Sequence, residues 1–216
     1  MHGKAGVTCI DGVCVPLHER SIPVKNTPSN LRLEHLFDTH RGKANAPANI
    51  AICHGPLSPH EEQIRRNCIR NRCDPSLRML EQAQRVANER GLRWRLFHGS
   101  ADRTGLDADC VDLVTSYIVL HEIPREAIHA QLREAYRLLR PGGDILFSDV
   151  TRYAALNKAG VRWAEYNAVH GGEPFWRESA SLDLATAARD AGFTQVRSEG
   201  FGGGIYPWFV YGHKPA

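Results

Sequence analysis

The spacing of apolar residues changes abruptly near residue 74. Before this point they stand singly among prolines and polar residues, and only 13–17 and 50–53 resemble strands. After it, segments with apolar residues at three- and four-residue intervals alternate with short, continuous apolar runs. The first pattern is typical of helices, and the second is typical of strands buried on both faces of a parallel sheet. The chain from residue 74 onward therefore predicts an α/β fold with a mainly parallel sheet.

Turn residues predict the boundaries of these elements. Helices are expected after Pro75, after Pro124 and over 182–191. Gly91 is expected to end the first helix, and Pro141-Gly142-Gly143 the second. The last strand follows a glycine cluster, so it is expected to pair antiparallel through a short connection. The strands are predicted over 94–98, 111–119, 144–150, 194–201 and 206–211.

Composition and charge narrow the functional classes. With 216 residues, 42% of them hydrophobic and 24% charged, the chain can close a core, and it has no apolar stretch near the roughly 20 residues of a membrane-spanning helix. No apolar signal segment follows the first residues, so a cytoplasmic location is expected and a membrane partner is not. After Cys73 the chain holds 17 Lys and Arg against 18 Asp and Glu, and this balance predicts no nucleic-acid partner.

Five of the six cysteines precede residue 74. In a cytosolic protein they are expected to be thiols rather than disulfides. Four residues separate Cys9 from Cys14 and Cys68 from Cys73, whereas structural zinc sites prefer pairs separated by two. No metal site is therefore predicted.

Three blocks of sequence occur in order along the second part of the chain. They are DPSLRML at 74–80, VDLVTSYIVLHEI at 111–123 and LREAYRLLRPGG at 132–143. In their amino-acid sequence and spacing, these blocks resemble the class I S-adenosylmethionine-dependent methyltransferases that act on small molecules. The resemblance implies a Rossmann-like, doubly wound, mainly parallel sheet with an antiparallel last strand. It also implies S-adenosyl-L-methionine as the cofactor and a small-molecule methyl acceptor.

The first and second blocks carry most of the implied cofactor site. An acidic side chain at the end of the second strand can accept hydrogen bonds from both vicinal hydroxyls of a ribose. By the resemblance, Asp74 holds the cofactor ribose, and Ser76 and Leu77 lie against the adenosine. Ser116 and Tyr117 match the strand end beside the methionine part. Without the resemblance, Asp74-Pro75-Ser76 is also compatible with a simple helix cap.

The loop after the next predicted strand matches the family segment that contacts the adenine. It consists of Gly99, Ser100 and Ala101. The family usually has an acidic residue where this chain has Ser100, so the chain departs from the family pattern at the adenine amino group.

His121, in the loop after the 111–119 strand, is the predicted catalytic residue. Its ordinary pKa lies near neutrality, so it could take a proton from an acceptor that must lose one during methyl transfer. The alternative is a loop histidine that packs against Tyr117 or caps the following helix. Glu122 is expected to be a solvated or helix-start charge.

Residues 151–180 lie where the family commonly inserts a lid over the acceptor. The segment is rich in aromatic residues and has little regular spacing. These rings could stack on a flat or apolar substrate, or they could form the core of the lid itself. The same kind of alternative holds for Tyr206, Trp208 and Phe209, which could line the acceptor pocket or fill the sheet edge.

The resemblance fails before Asp74, where the family has a glycine-rich loop for the methionine carboxylate. Glycines allow the backbone to approach that carboxylate closely, and the following helix offers its first amides. In this chain only Gly55 follows the strand-like segment at 50–53. The segment 67–73 is too polar for a central parallel strand.

These features divide the chain and leave two functions open. We expect an irregular N-terminal segment over 1–47 and a methyltransferase-like domain over 48–216, degenerate over 48–73 and with a substrate lid over 151–180. The first function is methyl transfer to a small molecule. The alternative is a catalytically impaired protein of the same fold, either a pseudoenzyme or the product of a shifted reading frame. A nicotinamide oxidoreductase is disfavoured because the chain has no G-x-G-x-x-G turn.

Overall fold

The computed structural model describes residues 7–10, 13–16, 49–53, 69–200, 205 and 207–216. Strands β1 (Val7–Ile10) and β2 (Val13–Pro16) pair antiparallel and form a separate two-stranded sheet. Both strands fall within the segment 1–47, whose other residues lie outside the described ranges. The predicted division of the chain at residue 48 therefore stays a prediction.

The main sheet has seven strands in the order β5-β4-β3-β6-β7-β9-β8, with bounds β3 (Asn49–Cys53), β4 (Ile69–Asp74), β5 (Trp94–His98), β6 (Val111–Tyr117), β7 (Leu139–Asp149), β8 (Thr194–Gly200) and β9 (Trp208–His213). Strands β3 to β7 are mutually parallel, and β9 runs antiparallel between β7 and β8. The prediction of a doubly wound, mainly parallel sheet with an antiparallel last strand is confirmed.

The described helices are α1 (Leu77–Arg90), α2 (Arg125–Leu138), α3 (Lys158–His170), α4 (Trp176–Ser181) and α5 (Leu184–Asp190), with 3-10 turns at Leu120–Glu122 and Tyr153–Ala155. Helix α1 begins where the Ser76 hydroxyl accepts the Met79 N–H, and it ends at Gly91, whose φ is +62°. The predicted C-terminal glycine is therefore found. Within the described part of the chain, no helix combines the length and apolar character needed to cross a membrane.

Several observed bounds differ from the sequence prediction: β6 ends at Tyr117 rather than at residue 119, β7 begins at Leu139 rather than at residue 144, and β9 spans Trp208–His213 rather than 206–211. Helix α2 ends at Leu138, before the predicted proline–glycine turn, because Leu139 is fully buried and pairs with Val111 as the first residue of β7. Residues 151–180, which show little regular spacing, contain α3 and α4. Helix α3 begins because the Asn157 side chain accepts the Gly160 N–H at 2.8 Å. Local capping and strand pairing therefore override the apolar pattern at these positions.

Strand β4 lies inside the sheet, so the prediction that 67–73 is too polar for a central strand is wrong. The Arg72 guanidinium lies 5.2 Å from the centre of the Trp94 ring, which accommodates its charge on an aromatic face. Cys73 is buried and contributes an apolar side chain. Polar residues are tolerated in β4 because neighbouring side chains cover them.

The main core lies between α2, α5 and the strands β6, β7 and β9. Helix α2 contributes one apolar face, as its spacing predicts. The buried residues of this core include Ile128, Leu132, Ala135, Leu138, Val111, Val114, Ile145, Phe147, Ala188, Phe193 and Val210. This packing holds the loop after β6 and the end of β7 in fixed positions.

Gly143 is expected to be intolerant of any side chain. A Cβ at this position would lie 2.9 Å from Leu139 Cδ2 and 3.0 Å from the carbonyl oxygens of Arg140 and Asp112. Because two of these neighbours are backbone atoms, Gly143→Ala should lower the free energy of unfolding by about 1–3 kcal/mol. Denaturant titration followed by circular dichroism measures the change.

Gly160→Ala in α3 is the control for that substitution. Its added Cβ would meet the flexible end of Leu156 at 3.2 Å, and alanine is favoured over glycine inside a helix by about 0.5–1 kcal/mol. Little or no loss is expected. Equal losses in the two variants would contradict the steric argument at Gly143.

Candidate active site

The predicted site residues end or follow parallel strands at one edge of the sheet. Asp74, the last residue of β4, pairs with His98, the last residue of β5. Cys53, at the end of β3, pairs with Ser116 near the end of β6. Ligands of open parallel sheets bind at this edge, where the strands give way to loops and helix N-termini. The structure therefore brings the predicted residues to the edge where a ligand would bind.

Asp74 is a buried residue whose carboxylate lies at the end of β4, the second strand of the sheet. It is 3% exposed, and its Oδ1 accepts the Ser76 N–H at 2.8 Å. The Asp74 carbonyl accepts the Gly99 N–H at 3.1 Å, which ties the loop after β5 to the end of β4. The side chain that caps α1 is that of Ser76, not that of Asp74. A carboxylate held in this way fits a ligand that offers hydroxyl donors, as a ribose does.

The loop after β5 passes close to the end of β4. A Cβ on Gly99 would lie 3.3 Å from the Cys73 Sγ, so a larger residue would press on β4. The Arg103 N–H donates to the Ser100 carbonyl at 3.1 Å and closes a tight turn that includes Ala101. Burial raises the pKa of the Cys73 thiol to about 11, so this thiol stays protonated and unreactive.

Leu77, Ser116 and Tyr117 differ in exposure. The Leu77 side chain is 59% exposed at the start of α1. Ser116 is buried, and its hydroxyl accepts a hydrogen bond from Gln131 Nε2 at 3.3 Å, so it faces α2. Tyr117 is half-buried. Their roles toward a cofactor stay predictions.

The Asp149 carboxylate, at the end of β7, joins that strand to the loop after β6. The Val119 and Leu120 N–H groups donate to its Oδ2 at 2.8 and 2.7 Å. The Val150 N–H donates to Oδ1 at 2.8 Å, and His121 Nδ1 lies 2.7 Å from the same oxygen. An ionised carboxylate only accepts, so Nδ1 carries the proton in this pair. Asp149 therefore sets both the path of the loop and the tautomer of His121.

Residues of the lid also contact His121. The Trp176 ring centre lies 5.3 Å from that of His121, and the two planes are inclined by 58°. The Phe175 N–H donates to the His121 carbonyl at 3.2 Å. Glu173 Oε2 lies 3.3 Å from His121 Nε2. His121 is 2% exposed, so the lid shields the predicted catalytic side chain from solvent.

Three carboxylates surround the His121 ring. Burial lowers the pKa of His121, but the hydrogen bond with Asp149 and the surrounding negative charges outweigh burial, and the pKa is raised. Burial raises the pKa of Glu173 to about 7, and a hydrogen bond with Glu122 adds to this effect. Glu173 can therefore be protonated near neutral pH.

In the structure the His121 ring packs against Trp176, and its Nδ1 bonds to Asp149. The choice between a catalytic and a packing role for His121 stays a prediction. Asp149, Glu173 and Trp176 were not predicted as partners. The position of Asp149 at the end of β7, on the same edge as the other strand ends, is a signal that could have identified it, whereas no signal pointed to Glu173.

The aromatic residues of the lid divide between its core and its surface. Trp176 is 2% exposed and packs with Val150, Ala164 and Ala180. Trp163 and Tyr166, on α3, are 51% and 63% exposed. The lid-core interpretation therefore fits Trp176, and an acceptor contact stays open for the exposed rings.

The rings near the sheet edge also differ among themselves. Phe209 is buried and packs with Leu146 and Tyr211 in the sheet, so it belongs to the core. Trp208 is half-buried, and Tyr206 lies outside the described residues.

Known proteins match the chain in sequence and in fold. Residues 62–143 match the family described as methyltransferase domain. The resemblance to the class I S-adenosylmethionine-dependent methyltransferases is confirmed. The matched methyltransferase stretch includes the blocks around Asp74, Ser116 and His121, and it begins after Gly55, the position of the expected glycine-rich loop.

A curated relative and two solved structures extend this comparison. Arsenite methyltransferase of Mus musculus is 32% identical over 109 residues, which are 46% of this chain and 26% of the mouse protein. The S-adenosylmethionine-dependent methyltransferase SibL has a TM-score of 0.63 at 23% identity, over 87% of this chain and 55% of SibL. The N-methyltransferase NodS of Bradyrhizobium japonicum has a TM-score of 0.59 at 15% identity, over 87% and 95%. At these identities the two solved structures establish a shared methyltransferase fold.

Proposed function

We propose that this chain is an S-adenosylmethionine-dependent methyltransferase that acts on a small-molecule acceptor. The observation that carries the proposal is the buried Asp74 carboxylate at the end of β4, the strand end where the fold binds a nucleoside. The methyltransferase-domain match over residues 62–143 supports it. The cytoplasmic location stays a prediction from the sequence.

The predicted cofactor residues surround this strand end. When bound, the cofactor supplies a methyl group on a sulfonium, which is a good leaving group, so positioning contributes much of the rate. Asp74 would hold the ribose hydroxyls, because its carboxylate is an acceptor for two donors. The other residues proposed to hold the cofactor are Ser76, Leu77, Gly99, Ser100, Ala101, Ser116 and Tyr117.

His121 is the proposed proton acceptor. Because its Nδ1 donates to Asp149, the neutral form of the ring carries its lone pair on Nε2, which can receive a proton from the acceptor. Glu173 Oε2 lies 3.3 Å from that nitrogen, so the lid must move before an acceptor can reach it. An acceptor that carries no transferable proton would not need this step.

The lid favours a small acceptor over a macromolecular one. With the lid closed, the His121 side chain is 3% exposed, which is compatible with an enclosed cavity and not with an open surface for a polymer. The exposed rings of Trp163 and Tyr166 could contact an acceptor that enters beside α3. The identity of the acceptor atom is a matter for a substrate screen.

Calorimetric titration with S-adenosylmethionine and S-adenosylhomocysteine tests the cofactor site. Asp74→Asn keeps the size of the side chain and one oxygen for the Ser76 N–H, but it removes the negative charge. Loss of one charge-assisted hydrogen bond costs about 1.5–3 kcal/mol, so Kd should rise about 10- to 100-fold. Asp190→Asn, at the exposed end of α5, is the matched control and should bind as the unaltered chain does.

The outcome separates the two functions left open by the sequence. Saturable binding that weakens only in Asp74→Asn supports the methyltransferase. No binding by a folded chain would favour the catalytically impaired alternative, in which the sequence of the degenerate segment 48–73 lacks the glycine-rich loop. Binding unchanged by Asp74→Asn would refute the proposed role of Asp74.

A further inference from the structure

His121, Glu122 and Glu173 bring three potential ligand atoms together beneath the lid. The Nε2 atom of His121 lies 3.7 Å from Glu122 Oε1 and 3.3 Å from Glu173 Oε2. One ligand atom from each of the three residues lies within 4.8 Å of the other two. His121 and Glu122 come from the turn after β6, and Glu173 comes from the loop between α3 and α4. The cluster therefore links the turn after β6 to the lid.

The spacing matches what a single metal ion requires. Two ligand atoms about 2.0–2.2 Å from one ion are about 3.0–3.6 Å apart at octahedral or tetrahedral angles. The distances from His121 Nε2 to the nearest oxygens of Glu122 and Glu173, 3.7 and 3.3 Å, need only small side-chain shifts to reach these values.

Asp149 holds the histidine in the orientation that metal sites use. Metal-binding histidines commonly donate their second ring N–H to a carboxylate, which fixes the ring and leaves the other nitrogen as the ligand. His121 Nδ1 lies 2.7 Å from Asp149 Oδ1, and both side chains are 3% exposed. The ring is therefore positioned in advance, with Nε2 directed at the two glutamates.

A buried atom of Glu173 gives an independent indication. Its Oε2 is buried and has no hydrogen-bond donor among the residues that the structure describes, although the side chain as a whole is 25% exposed. A buried carboxylate oxygen without a donor is costly, and such atoms in folded proteins usually have a protein, water or ion partner. A cation bound between this oxygen and His121 Nε2 would remove that cost.

We propose that His121 Nε2 and one carboxylate oxygen each from Glu122 and Glu173 bind a divalent first-row transition-metal ion. One imidazole and two carboxylates suit ions of the manganese, iron and zinc group better than magnesium or calcium, which prefer oxygen ligands alone. Metal binding goes beyond the proposed methyl transfer, and the sequence did not predict it. Its remaining coordination positions would be filled by water or by a ligand beneath the lid.

The proposed ion has two consequences for the site. It would tie the lid to the sheet edge, because its ligands come from both. It would also occupy the lone pair of Nε2, so His121 could not bind the ion and accept a proton at the same time. Metal binding and the base role of His121 therefore exclude each other in one molecule.

Manganese is the appropriate probe. The chain has six cysteines and eleven histidines, and zinc could bind thiols elsewhere, whereas Mn²⁺ prefers nitrogen and oxygen ligands. The whole chain is treated with EDTA, dialysed and titrated calorimetrically with MnCl₂ at neutral pH. One saturable site is expected. Glu122→Gln and Glu173→Gln should each weaken binding at least about tenfold, since removing a ligand costs no less than removing an outer-shell partner.

Glu126→Gln, an exposed residue in the first turn of α2, is the matched control and should bind manganese as the unaltered chain does. Circular dichroism establishes that each variant is folded. Absence of saturable binding by the folded chain would overturn the proposal. So would equal affinity in Glu122→Gln, Glu173→Gln and the control. Asp74 is not among the proposed metal ligands. The result of the cofactor titration with Asp74→Asn therefore does not depend on the result of the manganese titration.

Discussion

Asp149→Asn is expected to lower the free energy of unfolding by about 3 kcal/mol, since a buried charge-assisted network loses its acceptor. The two carboxylate oxygens of Asp149 each accept from two donors. Asparagine offers only one oxygen, so its NH₂ group must face two donors in either orientation. Depending on the orientation of the amide, either the loop after β6 or the His121 ring would lose its hydrogen bonds to residue 149. Urea denaturation followed by circular dichroism measures the effect.

Asp112→Asn is the matched control for this substitution. Asp112 pairs with Arg140 at 2.7 Å, but both side chains are partly exposed, at 27% and 43%. Solvent screens such pairs, so the expected loss is under about 1 kcal/mol. If Asp149→Asn were as mild as this control, the four contacts of the carboxylate would not hold the site together as described.

Trp176→Ala is the second substitution with a large expected effect. The ring is 2% exposed, fills the core of the lid with Val150, Ala164 and Ala180, and covers His121. Removing a buried tryptophan leaves a cavity and typically costs about 3–5 kcal/mol. Because the lid core is small, much of the loss should appear as local opening. Hydrogen exchange by mass spectrometry should show faster exchange over 158–181.

Trp163→Ala provides the comparison on the same lid. This ring is 51% exposed, so its removal should change the free energy of unfolding by no more than about 0.5 kcal/mol and leave exchange over 158–181 unchanged. Similar exchange in both variants would mean that Trp176 does not close the lid over His121.

The strands and helices after residue 74 were predictable because each carries its own local signal. The Trp94–His98 strand was predicted at its observed bounds, and Gly91 ends α1 as expected. The departures have tertiary causes. Leu139 leaves the helix to pair with Val111, and Arg72 enters the sheet because Trp94 covers it. Neither partner is close in sequence, so no local pattern could have indicated them.

Only the part of the candidate site that lies at the strand ends could be predicted from the sequence. Asp74 is recognisable because a strand end followed by a helix start is a local pattern. The surroundings of His121 come from separate elements: Asp149 follows it by 28 positions, and Glu173 and Trp176 belong to the lid. The sequence left His121 divided between catalysis and packing for this reason.

By itself the sequence determined the class of fold, the family resemblance and the strand-end position of Asp74, because periodicity, turn residues and short motifs are properties of neighbouring positions. Only the tertiary structure decided that Asp149 orients His121, that Trp176 and Glu173 cover it, and that Glu122 and Glu173 meet at Nε2. Those contacts depend on how the lid packs against the sheet edge. Such packing depends on burial and on charge pairs between elements that are distant in the chain. The periodicity of apolar residues contains no information about these contacts, because it reflects only neighbouring positions.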